Sequence, residues 1–391
     1  LEEAEKEYKG SGDFINLFFE KFIKKSPSGK LAPIFATLQN KEQIKSTSTN
    51  EEVLEYLRKV LSDKVDNSYN VLSARIDKFG VAQPNVQQLD GGRILVELPG
   101  VDNPQRVRNI LQSSAELEFW YTFQNYAAYK ILEAVNNQII KIDGIQNKTK
   151  TDTSNPSVNL SSGDELLKSL GVNENIDDST TGLAVKDSLE TTTDTTQKQL
   201  SAEEFAKQNP LTGKISPYIF QGEKGAQWAP SAIIGSVQSK DKEKVEKLLA
   251  RDDIQDQIPN NVRFAWSFKP QITDKGLEFY YLYALKGSRN NEPALSGDVV
   301  QSARPSTNPN GEVGVSMTMN RDGANEWKII TSKASKKSPK ECVAIVLDGQ
   351  VYSAPTVQGE IPNGRSEISG NFTQNEAQDL ANILETGKLP A

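Results

Sequence analysis

Residues Ser73–Val101, SARIDKFGVAQPNVQQLDGGRILVELPGV, decide most of what the sequence predicts about the fold. A helix is expected to end at Phe79 and Gly80, and two short strands then close around residues 90–92, Asp-Gly-Gly. Asp-Gly between alternating apolar residues favours a hairpin, because its tight turn needs positive φ angles that glycine adopts without strain. The stretch therefore predicts a scaffold of helix and hairpin, and it carries no pattern of catalytic side chains.

The longest predicted helix leads into this stretch. Thr49 and Glu52 form a capping box, and apolar residues then recur at three- and four-residue steps as far as Phe79. Such a helix is roughly 45 Å long, and its apolar stripe predicts that it lies on a sheet. The hairpin, a helix over residues 103–113 and a strand over 116–123 follow. The order α-β-β-α-β would become a βαββαβ ferredoxin-like unit if one strand preceded it.

Composition excludes several classes of protein. The 391 residues carry a formal net charge of −7, one cysteine (Cys342) and no histidine. The lack of histidine excludes Ser-His-Asp and Cys-His nucleophile systems and the zinc sites that contain histidine. Net acidity without a dense Lys/Arg stripe argues against nucleic-acid binding. No cofactor or metal site is therefore expected, and the scaffold stretch over residues 73–101 points away from an enzyme. A hydrolase with an unrecognised carboxylate pair is kept as a further hypothesis.

No window of the sequence approaches the roughly 20 apolar residues that a membrane-spanning helix needs. The chain starts at Leu1, without Met, inside a charged helical stretch. We expect it to be a piece of a longer protein. Its length exceeds that of one ordinary core and predicts two or three units.

Two patterns that resemble chemical motifs have simpler structural interpretations. Ser239 and Lys242 match the S-x-x-K pattern of acyl-transferring enzymes, but this lysine lies in a solvated run of charges. Acidic residues over 252–256 could offer oxygen ligands to calcium, yet the D-x-D-x-D-G loop is absent. We interpret the first as the start of a helix and the second as a solvated acidic turn.

Three blocks of the sequence resemble one family. They are Ser73–Val101, Pro293–Pro305 (PALSGDVVQSARP) and Glu341–Ala391, which begins ECVAIVLDGQVYSAP and ends GKLPA. In this order they are similar to the extracytoplasmic domain of SecD, the accessory subunit of the bacterial Sec protein-export machinery. The resemblance implies an α+β fold with a ferredoxin-like base, whose first strand is missing here, and a large inserted α+β head.

The resemblance also implies an organisation along the chain. We predict an N-terminal helical segment (1–48), a first half of the base (49–123), an inserted head (124–292) and a second half of the base (293–391). Within the head, residues 146–199 are rich in Ser, Thr and Asp. Such a stretch buries too little apolar area to offset chain entropy, so we predict that it is mobile.

The positions that carry the family signature are interpreted as turn and packing residues. They are Arg75, Asp77, Gly80, Pro84, Leu98, Pro99, Gly100, Asp348, Gly349, Pro355, Gly370, Phe372, Ala377, Leu380, Leu389 and Pro390. The proton-relay residues of the family lie in membrane spans, so none is expected in this chain.

Aromatic residues are concentrated on three predicted strands. An excess of this kind sometimes marks a groove for an extended peptide, where aromatic rings give contact area at low entropic cost. The candidate groove residues are Phe119, Trp120, Tyr121, Trp266, Tyr280, Tyr281 and Tyr283.

The function implied by the resemblance is preprotein translocation across the inner membrane. The head is expected to hold or release an emerging unfolded preprotein, through head–base motion coupled to the proton motive force. Expected partners are the preprotein, SecF and the SecYEG translocon, on the periplasmic side. We expect the hinge near Tyr121–Asn125 and Lys286–Pro293, with Gly287 able to absorb dihedral change. The alternative hypothesis is a secreted or periplasmic peptide- or glycan-binding module.

Overall fold

The computed structural model of the chain describes residues 1–8, 12–37, 40–79, 83–101, 103–145, 202–222, 225–288, 290–370 and 372–389. The chain divides into a first compact unit, Leu1–Ala115 with Gln378–Ala391, and a second, Glu116–Ala377. The predictions made for Gly80, for residues 146–199 and for Pro390 lie outside the described residues. The predicted base and head boundaries stay predictions.

The first unit is mostly helical. Its elements are α1 (Glu2–Glu7), α2 (Phe14–Lys25), α3 (Ala32–Phe35), α4 (Asn50–Phe79), β1 (Asn85–Leu89), β2 (Arg93–Glu97) and α5 (Pro104–Gln112). A last helix, α10 (Gln374–Thr386), contains the boundary between residues 377 and 378. No helix among the described residues of either unit is both long enough and apolar enough to cross a membrane.

Helix α4 begins as the capping box predicts. The backbone N–H of Glu52 donates to Thr49 Oγ1 at 3.2 Å, and the N–H of Thr49 donates to Glu52 Oε2 at 3.0 Å. The predicted apolar stripe is buried only at its two ends, at Val53 and at Ile76, while Leu61 in the middle is 43% exposed. The predicted sheet is present but short: the hairpin packs against α4 beside Val65 and Asp66 and covers only part of the stripe.

The predicted hairpin is confirmed, and its loop consists of residues 90–92 as expected. Leu89 pairs with Arg93, so the loop has three residues, and the positive φ angles fall on Gly91 (78°) and Gly92 (73°). Glycine is required at both positions, because a side chain in this conformation would be strained. The hairpin forms a two-stranded sheet of its own.

The second unit is built mainly from antiparallel sheets. Its strands are β3 (Leu117–Thr122), β4 (Ser216–Pro217), β5 (Ile219–Gly222), β6 (Gly225–Trp228), β7 (Ile233–Gln238), β8 (Val262–Trp266), β9 (Gln271–Ile272), β10 (Glu278–Lys286), β11 (Leu295–Ser296), β12 (Val300–Thr307), β13 (Val313–Met319), β14 (Val343–Leu347), β15 (Gln350–Ser353) and β16 (Arg365–Ser369). Its helices are α6 (Asn125–Ile142), α7 (Ala202–Gln208), α8 (Ser239–Leu249) and α9 (Arg321–Ser335).

Five strands of the second unit close into a small barrel. Strand β3 pairs with β14 and β10, β10 pairs with β8, and β14 pairs with β15. The ring closes between β8 and β15, where Ser267 bridges Val351 and the N–H of Phe268 donates to the Val351 carbonyl at 2.9 Å. Because side chains alternate between the two faces of a strand, every second residue points into the barrel.

The barrel interior is filled by side chains. The cluster there consists of Trp120, Ala232, Ala265, Tyr283, Leu285, Cys342, Ala344, Val346 and Val351. On the outer side, residues of α6 and α8 form a second core with β7, β8 and β10, in which Leu132, Ile139 and Leu282 are fully buried. The aromatic strands are thus packed on both faces.

The pairings of β3 do not confirm the predicted ferredoxin-like order. Residues 117–121 of β3 pair with β14 along one edge. The other edge pairs with β11 at Glu118 and Phe119, and with β10 at Tyr121 and Thr122. No edge of β3 is left for a strand that would join it to the β1–β2 hairpin. The fold class that the structure supports is mixed α+β with several antiparallel sheets.

Candidate functional site

Three of the seven predicted groove residues belong to the protein interior. Phe119 and Trp120 have no exposed surface, and Tyr283 is 7% exposed. A fully covered ring cannot contact a peptide in solution, so the prediction of a binding role is wrong for these three. The aromatic excess on β3 and β10 arises because the barrel closes around one face of these strands while another layer covers the other face.

Trp120 is held by polar as well as apolar contacts. Its indole Nε1 donates to Glu118 Oε2 at 3.1 Å, and the guanidinium of Arg263 lies 5.6 Å from the ring centroid. Arg263 also lies 3.7 Å from Glu118 Oε2, with a side chain that is 44% exposed. These groups cover the Trp120 ring at one end of the barrel. On the opposite face of β3, the ring of Phe119 packs on that of Trp327, with 4.9 Å between ring centroids.

Two further candidates, Trp266 and Tyr280, lie on the outer side of the sheet around a lysine. The Nζ atom of Lys242 is 5.6 Å from the Trp266 ring and 4.7 Å from the Tyr280 ring. Lys242 also pairs with Glu246 at 3.3 Å. The lysine of the S-x-x-K pattern therefore rests between aromatic rings and beside a carboxylate, an arrangement that packs α8 onto the sheet.

The last two candidates are half-buried tyrosines of the second unit. Tyr121 donates to the carbonyl of Ile330 at 3.4 Å, and burial, with a smaller effect of Glu341, raises its pKa. Tyr281 lies against Phe279 at 5.5 Å and Tyr218 at 6.3 Å between ring centroids. Burial raises the pKa of Tyr281 as well. These rings do not form one continuous groove with Trp266 and Tyr280, because side chains 280 and 281 point to opposite faces of β10.

A second group of aromatic residues lies where the β5–β6 hairpin packs against helix α6. We define the hairpin surface as the two faces of the β5–β6 hairpin with the aromatic residues Tyr126, Phe220 and Trp228. Trp228 pairs with Ile219 and Phe220 pairs with Gln227, so Trp228 faces α6 and Phe220 lies on the opposite face. Trp228 packs on Tyr126 at 5.9 Å and on Tyr129 at 5.2 Å between ring centroids. Tyr126 and Phe220 remain 44% and 43% exposed. The hairpin surface therefore combines a supported platform with rings that solvent reaches.

The base of this hairpin is fixed by the first residue of α6. Asn125 is 2% exposed, and its amide Nδ2 donates to the carbonyls of Ala229 at 2.7 Å and Tyr218 at 3.3 Å. Its backbone N–H donates to the carbonyl of Ser231 at 3.0 Å. One buried side chain thus holds both legs of the hairpin. The i, i+3 spacing of Tyr126 and Tyr129 is a faint sequence signal for this surface.

Among the residues that the structure describes, no group of three or more His, Cys, Asp or Glu side chains lies close enough together to hold a metal ion.

The sequence matches two family models. Residues 65–122 match the N-terminal part of the P1 domain of protein translocase subunit SecDF, and residues 282–391 match the SecDF P1 head subdomain. The protein translocase subunit SecD of Rhodothermus marinus is 32% identical over 99% of this chain. The chain belongs to the SecD/SecDF family. The head subdomain model covers the range that the sequence analysis assigned to the second half of the base.

The chain spans 54% of the length of the Rhodothermus SecD. The SecD of Magnetococcus marinus is 44% identical over a shorter region, 25% of this chain and 18% of that protein. Among solved structures, a SecDF described as a membrane component that enhances protein export aligns with 84% of this chain and 89% of its own, at 19% identity and a TM-score of 0.38. A score this low does not establish a shared fold.

The SecD signature residues of the second unit are explained by turns and packing. Asp348 (φ 51°) and Gly349 (φ 77°) form the two-residue turn between β14 and β15, as predicted for Asp-Gly. A Cβ atom on Gly370 would lie 2.7 Å from the ring of Phe372, so only glycine lets this ring pack closely. The carbonyl of Pro355 accepts a bond from the N–H of Val343 at 3.2 Å.

The signature residues of the first unit divide into buried and exposed groups. Arg75 is 1% exposed and Leu380 is 3% exposed. Gly100 takes a φ angle of 73°, which suits the Pro99-Gly100 turn. Burial does not explain why the other signature positions belong to the family pattern: Asp77, Pro84 and Pro99 are exposed, and Leu98 and Leu389 are half-buried. Ala377, at the end of the second unit, is fully buried.

Proposed function

We propose that this chain is the periplasmic-side domain of a Sec translocon accessory subunit and that it assists protein export without enzymatic chemistry. The observation that carries the proposal is the 32% identity with a SecD along 99% of the chain. Both compact units fall within that alignment, so the relationship is not limited to one widespread fold. This alignment does not favour the alternative, a secreted or periplasmic peptide- or glycan-binding module.

In this proposal the partners are an unfolded preprotein, SecF and the SecYEG translocon. The domain holds or releases the emerging preprotein by a head–base motion that the proton motive force drives through the membrane part. The ferredoxin-like base remains a proposal for the first unit alone, where α4, β1, β2 and α5 supply the α-β-β-α part of that motif.

The hairpin surface supports contact with an extended chain. Tyr126 and Phe220 offer exposed aromatic area, and few rotatable bonds are fixed when such rings bind. Among the described residues β5 pairs only with β6, so each strand has one edge without a strand partner. Backbone pairing at a sheet edge does not depend on the sequence of the bound peptide, which suits a protein that must handle many preproteins.

A titration tests this function. The 391-residue chain is mixed with an unfolded secretory precursor and with the same protein folded, and binding is followed by anisotropy of a label on the precursor. We expect weak binding of the unfolded form only. Binding should fall at least about tenfold in a Tyr126→Ser, Phe220→Ser variant, since two aromatic contacts of this size are each worth about 1 kcal/mol.

The matched control removes exposed apolar side chains elsewhere on the second unit. Ile272 is 67% exposed and Leu277 is 47% exposed, and both lie near the turn between β9 and β10. An Ile272→Ser, Leu277→Ser variant should bind the precursor as the parent does. Equal losses in both variants would contradict the assignment of the contact to the hairpin surface. Equal binding of the folded and unfolded proteins would contradict the proposed role.

A further inference from the structure

Helix α9 of the second unit ends in a run of lysines. Residues 328–340 contain five lysines and no acidic residue, although the whole chain carries a formal net charge of −7. All five residues are exposed: Lys328, Lys333, Lys336, Lys337 and Lys340. A local excess of positive charge on an acidic protein attracts an anionic partner over a Debye length of about 10 Å.

Helix α9 presents these lysines from a fixed position. Its inner face is buried, and on that face the ring of Trp327 packs on Phe119 at 4.9 Å between ring centroids. Lys336 keeps a helical conformation directly after the last residue of α9. Positions 329, 333 and 336 follow each other at steps of four and three residues, so Ile329, Lys333 and Lys336 lie together on the outward face.

The positive charge at this end of α9 is not neutralised locally. Among the residues that the structure describes, the side chains of Lys333, Lys336 and Lys337 enter neither an ion pair nor a hydrogen bond. Glu341 is the first acidic residue that follows the run. Its carboxylate lies 3.4 Å from the Nζ atom of Lys286, and its side chain is 15% exposed. Three ammonium groups are therefore left to meet an anion from outside the protein.

The two lysines at the limits of the run are engaged within the second unit. Lys328 pairs with Glu360 at 3.5 Å, and the Nζ atom of Lys340 donates to the carbonyl of Gln358 at 2.8 Å. These two lysines therefore contribute less to the attraction of an outside partner than the three between them.

Helix α8 shows the opposite arrangement with the same residue type. It contains four lysines, and three of them pair with acidic residues of the same helix: Lys242 with Glu246 at 3.3 Å, Lys244 with Asp241 at 2.8 Å and Lys247 with Glu243 at 2.7 Å. Carboxylates this close cancel most of the positive field of the lysines. The two helices thus differ in local net charge rather than in lysine content.

An apolar side chain accompanies the unpaired lysines. Ile329 is 53% exposed on the same outward face. The headgroup layer of an anionic bilayer attracts ammonium groups, and the boundary below it accepts apolar side chains. An acidic protein or a nucleic acid would meet the charge but offers no such layer for the isoleucine. A bilayer therefore fits both features of this face.

We propose that the outward end of α9, with Ile329, Lys333, Lys336 and Lys337, docks on the headgroups of an anionic lipid bilayer. The inference goes beyond the proposed function and rests on it in one respect, namely that this function places the domain beside the inner membrane. Three ammonium groups support a weak and reversible contact, and salt weakens it because the charges are exposed.

Vesicle flotation of the 391-residue chain tests the docking. The chain is mixed at low salt with vesicles of phosphatidylglycerol and phosphatidylcholine in equal parts, or of phosphatidylcholine alone. We expect binding to the anionic vesicles only, with release as the salt concentration rises. A triple variant, Lys333→Gln, Lys336→Gln, Lys337→Gln, should bind about 100-fold more weakly, because each lysine near such a surface contributes about fivefold.

The matched control is Lys240→Gln, Lys244→Gln, Lys247→Gln on α8, which lowers the net charge equally and should bind as the parent does. Equal losses in both triple variants would overturn the inference, because net charge alone would then explain the binding. The lysines of α9 also lie at the negative end of its helix dipole. If they only stabilise the helix end, their variant will unfold at a lower temperature and keep its vesicle binding, which would likewise overturn the inference.

Ile329→Ser separates a bilayer from other anions. It should weaken vesicle binding about fivefold, since this side chain leaves water when the helix docks. Tighter binding to soluble polyglutamate than to vesicles, with no loss in Ile329→Ser, would assign the surface to an acidic protein and overturn the inference. Failure of vesicle binding while the unfolded precursor still binds overturns this inference alone, and the reverse result overturns the proposed function alone.

Discussion

The two compact units differ in the size of their apolar cores and in their buried polar contacts. The second unit closes a barrel around Trp120 and Tyr283, with a further apolar core on its outer side. The first unit has a smaller apolar core that covers the start of its long helix, and near the end of that helix a buried arginine, Arg75, donates to backbone carbonyls. Apolar burial is non-directional, whereas hydrogen bonds to a guanidinium fix defined partners. The comparison shows that the second unit is stabilised mainly by apolar burial, whereas the first unit also depends on directional hydrogen bonds to one buried side chain.

Two spectroscopic signals, tryptophan fluorescence and helical circular dichroism, distinguish the two units. All four tryptophans, at positions 120, 228, 266 and 327, lie in the second unit. The first unit contains α4, with 30 residues. Tryptophan fluorescence therefore reports unfolding of the second unit alone, while helical circular dichroism includes a large contribution from the first.

The largest expected effect is that of Trp120→Ala. Removing a fully buried indole leaves a cavity in the barrel and should lower the free energy of unfolding of the second unit by about 3–5 kcal/mol. Denaturation followed by the remaining tryptophans measures this loss. If Trp120 instead belonged to a peptide groove, the variant would keep its stability and lose only precursor binding.

Arg75→Met should have the largest effect in the first unit. Methionine cannot donate the hydrogen bonds that the Arg75 guanidinium makes to the carbonyls of Ile110, Ser113 and Gly387. Each buried carbonyl left without a donor lowers the free energy of unfolding by about 1–3 kcal/mol. The transition seen by circular dichroism should move to lower denaturant concentration, while the fluorescence transition stays in place. A parallel shift of both transitions would contradict the independence of the two units.

Alkaline pH should destabilise the second unit selectively. Burial raises the pKa of Tyr283, and that of the less completely covered Tyr129 and Tyr352, above the usual value for tyrosine. In the unfolded chain these hydroxyls lose their protons at about pH 10, whereas in the folded protein they stay protonated to higher pH. The folded state is therefore fully stabilised below about pH 10 and loses this stabilisation as the pH rises above it. The free energy of unfolding should fall by about 1.4 kcal/mol per pH unit for each such tyrosine.

Denaturation curves at pH 9 and pH 11 measure this slope through tryptophan fluorescence. Tyr283→Phe keeps the ring and removes the ionisable hydroxyl, so the slope should become smaller in that variant. An unchanged slope would mean that Tyr283 ionises in the folded protein.

The smallest expected effect concerns a turn. Gly349 has a φ angle of 77° in the β14–β15 hairpin, and an alanine there should cost about 1 kcal/mol through backbone strain. Gly359 is the control, because its φ angle is not positive and a Cβ atom there would meet no atom within 4 Å. Thermal unfolding of Gly349→Ala and Gly359→Ala compares the two, and equal melting temperatures would contradict the strain argument.

Local signals in the sequence predicted the local structure well. The Thr49–Glu52 capping box, the hairpin around residues 90–92 and the turn at Asp348-Gly349 are all present. Each depends on residues within a few positions of one another, and the physical reason for each can be read directly from the side chains.

The candidate groove was harder to predict, because burial is decided by partners distant in sequence. Trp120 is covered by residues of β8, β10, β14 and β15, and nothing near position 120 reveals that the barrel closes there. Sheet order was missed for the same reason, since both edges of β3 are paired with strands more than 150 residues later in the chain. The hairpin surface depends on the buried Asn125, whose role appears only when the legs of the hairpin are brought together.

The most direct test of the proposed function is photo-crosslinking in the full-length parent protein in cells during export. A photoreactive amino acid replaces Phe220 on the hairpin surface or, as a control, Ile329 on α9, which is 53% exposed. The account predicts adducts with secretory precursors at position 220 that disappear when export is blocked, and none at position 329. Adducts at position 329 alone, or at neither position while export proceeds, would contradict the claim that this domain contacts the preprotein through its hairpin surface.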